Sequence, residues 1–253
     1  MEKYFIVADV HGFYDEMMTA LNEKGFDIEN PNHIFVSLGD LFDRGKQPNE
    51  VLDFVIGLPE ERRILILGNH ELLMEQALSR GFFNYTDYCN GTKGTAYRLT
   101  NSEHDEDAIL NLKKDQRWKD YIRACQFYAE IGDNIFVHGW IPSIRVPSSW
   151  GGIGGLYEYK YDWREAPIYD WKEATWINGM SAWYQKVREP GKTIWCGHWH
   201  TSWGHYHLHG EGVEFAEKPS DVEHFEPFKD EGIVAMDACT AHSHKINCEV
   251  IEI

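Results

Sequence analysis

Residues 34–45, Ile-Phe-Val-Ser-Leu-Gly-Asp-Leu-Phe-Asp-Arg-Gly, decide how this chain is read. Ile34 to Leu38 is a short apolar run with the length of a buried strand. Gly39, Asp40, Asp43, Arg44 and Gly45 follow it at once. The same punctuation recurs along the chain. Tyr4 to Ala8 leads into Asp9-Val10-His11, and Arg63 to Leu67 into Gly68-Asn69-His70-Glu71. Ile135 to Val137 leads into His138-Gly139, and Thr193 to Cys196 into Gly197-His198-Trp199-His200. Ligands of open α/β sheets bind beyond the carboxyl ends of the strands, so the five polar clusters are expected to converge on one place.

Helical stretches separate the early strands. Tyr14 to Lys24 stops at Gly25, Pro48 to Ile56 has proline near its start, and Glu71 to Leu78 continues the third cluster. A β-α-β-α-β-α order implies a mostly parallel, buried sheet. Trp183 to Val187 reads as a helix end. Ile233 to Met236 and Ile246 to Ile251 alternate like strands of a second sheet. The expected fold class is α/β, a four-layer αββα sandwich of two mixed β-sheets flanked by helices. No repeat or linker interrupts the 253 residues, so one domain over 1–253 is expected, with insertions or lids near 80–120 and 142–170.

Composition narrows the function. Hydrophobic residues are 43% and charged residues 26%, a globular composition, and no apolar run approaches the roughly 20 residues of a membrane span. The start shows no basic leader or cleavage site, and the five cysteines form no CxxC pair. Reduced thiols in a cytoplasm are the expectation. A formal charge of −17 would repel long nucleic acids, which are held through basic surfaces, so a small or point-like substrate is favoured.

The residue types suit a binuclear metal centre. Asp9 and His11 stand two apart, so both can face one way on an extended backbone. With Asp40 they form an oxygen and nitrogen set suited to manganese, iron or zinc, and Asp40 is best placed to bridge two cations. Asn69, His138 and His198 would complete the second metal site. Calcium would want more oxygens.

These motifs, DxH, GDxxDRG, GNHE, a strand-borne HG and a late GH, resemble the calcineurin-like metallophosphoesterases. The full GDLFDRG and GNHE forms are similar to the phosphoprotein phosphatase branch, especially its small bacterial and phage members. Met236-Asp237-Ala238-Cys239-Thr240 resembles that branch's closing strand. The resemblance implies two divalent transition-metal ions, manganese first, held by Asp9, His11 and Asp40 and by Asp40, Asn69, His138 and His198. It implies His70 as general acid oriented by Asp43, Arg44 on the phosphate oxygens, and in-line attack by a hydroxide bridging the metals.

Two departures bear on substrate. Small bacterial members carry a second phosphate-binding arginine where Asn178 stands here in Trp176-Ile177-Asn178-Gly179, so Asn178 is the substrate-binding candidate and Arg164 or Arg145 the candidate replacement. The late motif reads GHxH, which in phosphodiesterases and nucleases makes the second histidine, here His200, a metal ligand. His205, His207 and His209 alternate and would share a strand face, read as solvated in preference to an extra metal site, and His242 and His244 are read as a polar turn. Cys196 is read as a small core residue. Of ten tryptophans, Trp140, Trp163, Trp176, Trp195, Trp199 and Trp203 fall near the site, for packing or for stacking on a nucleobase.

The leading expectation is a phosphomonoesterase of the serine/threonine phosphatase type acting on phosphoproteins or small monoesters. The alternatives are hydrolysis of dinucleoside polyphosphates, a phosphodiesterase, and a non-catalytic scaffold. The scaffold is disfavoured because every expected ligand and the acid histidine are present.

Overall fold

The computed structural model describes residues 1–147 and 153–253. The described residues form twelve strands: β1 (Lys3–Val7), β2 (His33–Ser37), β3 (Arg63–Ile66), β4 (Cys125–Gln126), β5 (Tyr128–Ile131), β6 (Asn134–Val137), β7 (Ile144–Pro147), β8 (Ile153–Tyr157), β9 (Thr193–Cys196), β10 (Phe228–Asp230), β11 (Ile233–Ala235) and β12 (Cys248–Glu252). One sheet runs β12-β1-β2-β3-β4 and a second β10-β11-β9-β6-β5, while β7 and β8 pair by themselves. Strands β1 to β4 are parallel and β12 joins β1 antiparallel. In the second sheet β11, β9 and β6 are parallel and both edges antiparallel.

Period-two alternation divides the strand residues between layers. Phe5, Val7, Phe35 and Leu65 face the helices Tyr14–Glu23, Pro48–Gly57 and Asn69–Arg80. Their neighbours Tyr4, Ile6, Ile34, Val36 and Ile66 face the other sheet, where they meet Phe136, Trp195, Val234 and Met236. On the far side Ile135, Ile194 and Ile233 pack under Trp171, Met180 and Trp183. This is the expected αββα sandwich. The second sheet, however, takes only one of the two closing strands. β12 returns to β1, with Phe5 opposite Val250, because Ile246 and Cys248 complete the helix-side core of the first sheet.

The stretch 80–120, expected as an insertion or lid, folds as helices Tyr85–Asn90, Thr92–Thr100, Asp105–Leu112 and Gln116–Ala124. Ala96, Leu99, Ile109, Leu112, Trp118 and Tyr121 are buried in the core over β1 to β3. Of the stretch 142–170, residues 148–152 lie outside the described residues. Among the described residues no helix is long and apolar enough to cross a membrane, and all five cysteines are free.

Candidate active site

Six parallel strands each end in a polar residue within three positions: β1 in Asp9, β2 in Asp40, β3 in Asn69, β6 in His138, β9 in His198 and β11 in Asp237. Because the two sheets are stacked, these ends meet at one rim of the sandwich. Hydrogen bonds cross from sheet to sheet there. His138 Nδ1 donates to the Leu38 carbonyl at 2.7 Å, and the His198 amide donates to Asp9 Oδ2 at 2.9 Å.

The backbone is held in the left-handed region at Asp9, His11, Asp40, Asp43, Arg44 and His198, six of the ten described non-glycine residues with positive φ. Each such conformation costs on the order of 1 kcal/mol or more and persists only when surrounding contacts over-determine it. Glu71 supplies some of them. It accepts from the Gly68 and Asp40 amides at 2.9 and 3.0 Å and from Leu41 at 3.0 Å. Gly68 is required by close approach, since a Cβ there would lie 2.1 Å from Asp40 Oδ1.

Two groups of donors lie within 4.8 Å, His11 with Asp40 and His70, and Asp40 with His138 and His198. Asp40 belongs to both, as expected of a bridging carboxylate. Asn69 Oδ1 stands 2.8 Å from His138 Nε2, so it shares the second group. Asp9 joins neither group in this structure; it lies alongside, both carboxylate oxygens turned to the His198 amide. Burial and then the charge of Asp237 push Asp9 well above the usual carboxylate range, and burial raises Asp237 to about 6. Burial alone would lower His138 and raise Asp40. Their mutual attraction wins, lifting His138 to about 10 and holding Asp40 well below its usual value. A buried concentration of carboxylates and imidazoles of this kind calls for bound positive charge. The imidazole-plus-carboxylate donor set fits divalent transition ions.

At the mouth, the exposed Arg44 places Nη1 2.8 Å from His11 Nε2 and Nη2 3.2 Å from His70 Nε2. A guanidinium only donates, so both Nε2 atoms accept and the ring protons sit on Nδ1. His11 Nδ1 then donates to the Phe42 carbonyl at 2.8 Å and His70 Nδ1 to Asp43 Oδ2 at 2.7 Å. Asp43 is fixed by Thr92, whose hydroxyl donates to Oδ2 at 2.7 Å, and by Thr95, which accepts the Asp43 amide at 3.0 Å.

Two candidates are not brought in. His200 joins neither donor group. Its Nδ1 lies 2.9 Å from Ser202 Oγ and its Nε2 3.4 Å from Glu214. The residue two beyond His198 begins the helix Thr201–Gly204, which turns the chain away. Asn178 caps the helix Gly179–Tyr184, accepting the Ser181 amide at 3.1 Å. Arg145 lines the same small cavity as Asn178 and donates to the Glu173 carbonyl at 3.0 Å, and Arg164 is tied to Glu130, Asp162 and Glu189. Cys196 is buried, and that burial pushes its thiol up. Trp140, Trp163 and Trp195 are core residues, but Trp176 and Trp199 are 42% and 36% exposed. Their rings stand 5.8 and 5.9 Å from that of His198.

Sequence reasoning passed over Glu71, Asp237, Thr92 and Thr95. The motif that supplies His70 also contains Glu71, and Asp237 follows β11 at the same offset as Asp9 follows β1. The two threonines come from a helix with no sequence signal of its own.

The family model described as "Calcineurin-like phosphoesterase" matches residues 3–245. The asymmetrical bis(5'-nucleosyl)-tetraphosphatase PrpE of Bacillus subtilis is 34% identical over 110 residues, 41% of this chain and 44% of that protein. The symmetrical bis(5'-nucleosyl)-tetraphosphatase of Nitrosococcus oceani is 41% identical over 68 residues, 27% of this chain and 23% of that protein. The chain thus spans less than half the length of these curated relatives. A solved cold-active protein-tyrosine phosphatase of a Shewanella species superposes with a TM-score of 0.55 at 17% identity, covering 100% of this chain and 76% of that one. At that identity the likeness is one of fold.

Proposed function

This chain belongs to the calcineurin-like phosphoesterase family, a hydrolase of phosphate ester bonds, and on that footing we propose that it cleaves the phosphoanhydride of dinucleoside polyphosphates. The observation that carries this reading is the pair of exposed tryptophans, Trp176 and Trp199, each with its ring close to that of His198, at 5.8 and 5.9 Å. An exposed indole offers a face on which a base can stack, and such stacking is worth about 1–3 kcal/mol. The curated relatives named as bis(5'-nucleosyl)-tetraphosphatases support the same substrate class. The reading moves the substrate from the monoesters favoured on sequence to small nucleotides, compatible with the charge of −17.

Asp9, His11 and Asp40 would hold one divalent cation, and Asp40, Asn69, His138 and His198 the other. When bound, the ions supply charge that polarises the phosphorus centre and lowers the pKa of water. Arg44, exposed at the mouth, would turn its two terminal nitrogens from His11 and His70 to grip phosphate oxygens with two parallel donors. His70, its proton balance set by Asp43, delivers a proton to the departing oxygen. Arg145, which lines a cavity with Asn178, would be the group to add charge farther along a polyphosphate. Free thiols throughout suit a reducing compartment, and we place the enzyme in the cytoplasm.

The His70–Asp43 pair favours a second reading, monoester hydrolysis, because an alkoxide needs protonation far more than a departing nucleotide phosphate does. The manganese-loaded enzyme should therefore be compared on a dinucleoside tetraphosphate and a phosphoserine peptide. A kcat/KM at least tenfold higher on the dinucleotide upholds the proposal; the reverse ranking makes the monoester reading the correct one.

A further inference from the structure

Beyond the helix Thr201–Gly204 the chain makes a π-helical turn, His205–His209. It is closed by Gly210 at φ +71 and by the Glu211 amide, which reaches back to the His205 carbonyl at 2.9 Å. A strand would have set the three histidines on one face. This turn instead points residues four apart the same way and residues two apart opposite ways. His207 accordingly meets Glu214, Nε2 to Oε2 at 2.7 Å. His205, His209 and Glu211 come together, with ligand atoms within 4.8 Å of one another.

For a neutral ring, the hydrogen-bond arithmetic at His205 is unbalanced. The ring is buried, and each of its nitrogens faces an acceptor, Glu211 Oε2 at 3.1 Å from Nδ1 and the Glu226 carbonyl at 3.2 Å from Nε2. A neutral imidazole has one N–H and one lone pair. With its proton given to Glu226, the lone pair on Nδ1 is pressed against a carboxylate oxygen. A cation shared by Nδ1 and the carboxylate turns that repulsion into two bonds. His209 is prepared in the same way, with Nε2 3.4 Å from Asp230 Oδ2 and Nδ1 left over. An acceptor behind each imidazole is the arrangement that fixes tautomer and orientation in histidine metal ligands. Phe228 lies under both rings, at 5.6 and 4.5 Å, and keeps one side dry.

We infer that His205, His209 and Glu211 form a binding site for a divalent transition-metal ion of the zinc class, separate from the catalytic centre. Two imidazoles and a carboxylate are a zinc donor set. The ion would tie the turn to β10 through Asp230 and to the loop before it through Glu226, stiffening the segment that follows His200.

The test loads wild type, His209→Gln and Glu211→Gln with zinc chloride, removes excess by gel filtration and counts zinc per chain. Neither side chain belongs to the catalytic machinery, so turnover with manganese serves as the folding control. One zinc fewer per chain in both variants, with turnover retained, upholds the site, and Asp230→Asn should then weaken zinc binding by about 10-fold or more. Equal zinc in all three proteins overturns it. So does a nitrogen-15 spectrum in which His205 stays doubly protonated under excess zinc, which makes the cluster an ion pair of His205 with the exposed Glu211.

Discussion

His70 Nδ1 stands 2.7 Å from Asp43 Oδ2, and that oxygen also accepts the Thr92 hydroxyl at 2.7 Å. The carboxylate is thereby locked, and with it the imidazole plane. Burial lowers the His70 pKa, but Asp40 and Asp43 together outweigh burial and the net shift is upward. Once Arg44 swings away from Nε2, that nitrogen can take a proton and keep it to higher pH than an ordinary histidine would, which suits an acid.

His70→Asn should therefore cost about 10²–10⁴ in turnover where an alkoxide leaves, and far less where a nitrophenolate or nucleotide phosphate leaves. Metal content should not change. Equal losses on all leaving groups, read from kcat across a substrate series, remove His70 from the acid role.

The shift sets the sign of the pH profile. Activity that needs protonated His70 falls as pH rises through its raised pKa. Asp43→Asn deletes an anion that raises it, so the alkaline limb for a monoester should move to lower pH. An unmoved limb means that Asp43 does not govern this proton.

Arg44 spans His11 and His70 with two nitrogens of one planar group. Lysine offers a point charge and no fork. Arg44→Lys should lower kcat/KM by roughly 10- to 100-fold, the loss expected for about 1.5–3 kcal/mol of charged hydrogen bonding. A value within twofold of wild type would place the phosphate elsewhere.

Trp176→Ala and Trp199→Ala should each raise KM for a dinucleoside tetraphosphate, by a factor corresponding to about 1–3 kcal/mol per lost base contact. With nitrophenyl phosphate both should behave as wild type. If the two substrates suffer alike, the tryptophans shape the metal site and bind no base.

Asp115 caps the helix Gln116–Ala124, accepting the Arg117 amide at 2.8 Å. Burial raises its pKa, but the bonds from Arg117 outweigh burial and hold it below 3.8. A depressed carboxylate stabilises above its unfolded pKa and loses that contribution as pH falls through its folded one. Asp115→Asn, which keeps the amide acceptor but not the charge, should be less stable than wild type at pH 6. The gap should close below about pH 4 in urea unfolding; a constant gap would show that the charge contributes nothing.

How much of this was legible in sequence follows from range. The strands and their terminal Asp9, Asp40, Asn69, His138 and His198 were readable, because a strand followed by glycine and carboxylate is a local pattern, and stacking two sheets leaves one rim for those ends. Arg44 and the His70–Asp43 pair were readable through the resemblance of their motifs to a family. What failed were readings that depend on where the chain goes next. Alternation in Ile246–Ile251 showed a strand but not which sheet it would join, since register across some 240 residues is decided by which core lacks apolar cover. His205, His207 and His209 alternate as in a strand, yet the turn after His200 folds them helically. Asn178 and His200 matched motif positions and were drawn off, one as a helix cap and one to Ser202 and Glu214. The amino-acid sequence by itself determined the donor types, their order and the strands that carry them. Only tertiary structure decided which donors share a centre, because that depends on left-handed turns at Asp9, Asp40 and His198 that Glu71, Thr240 and the facing sheet hold in place.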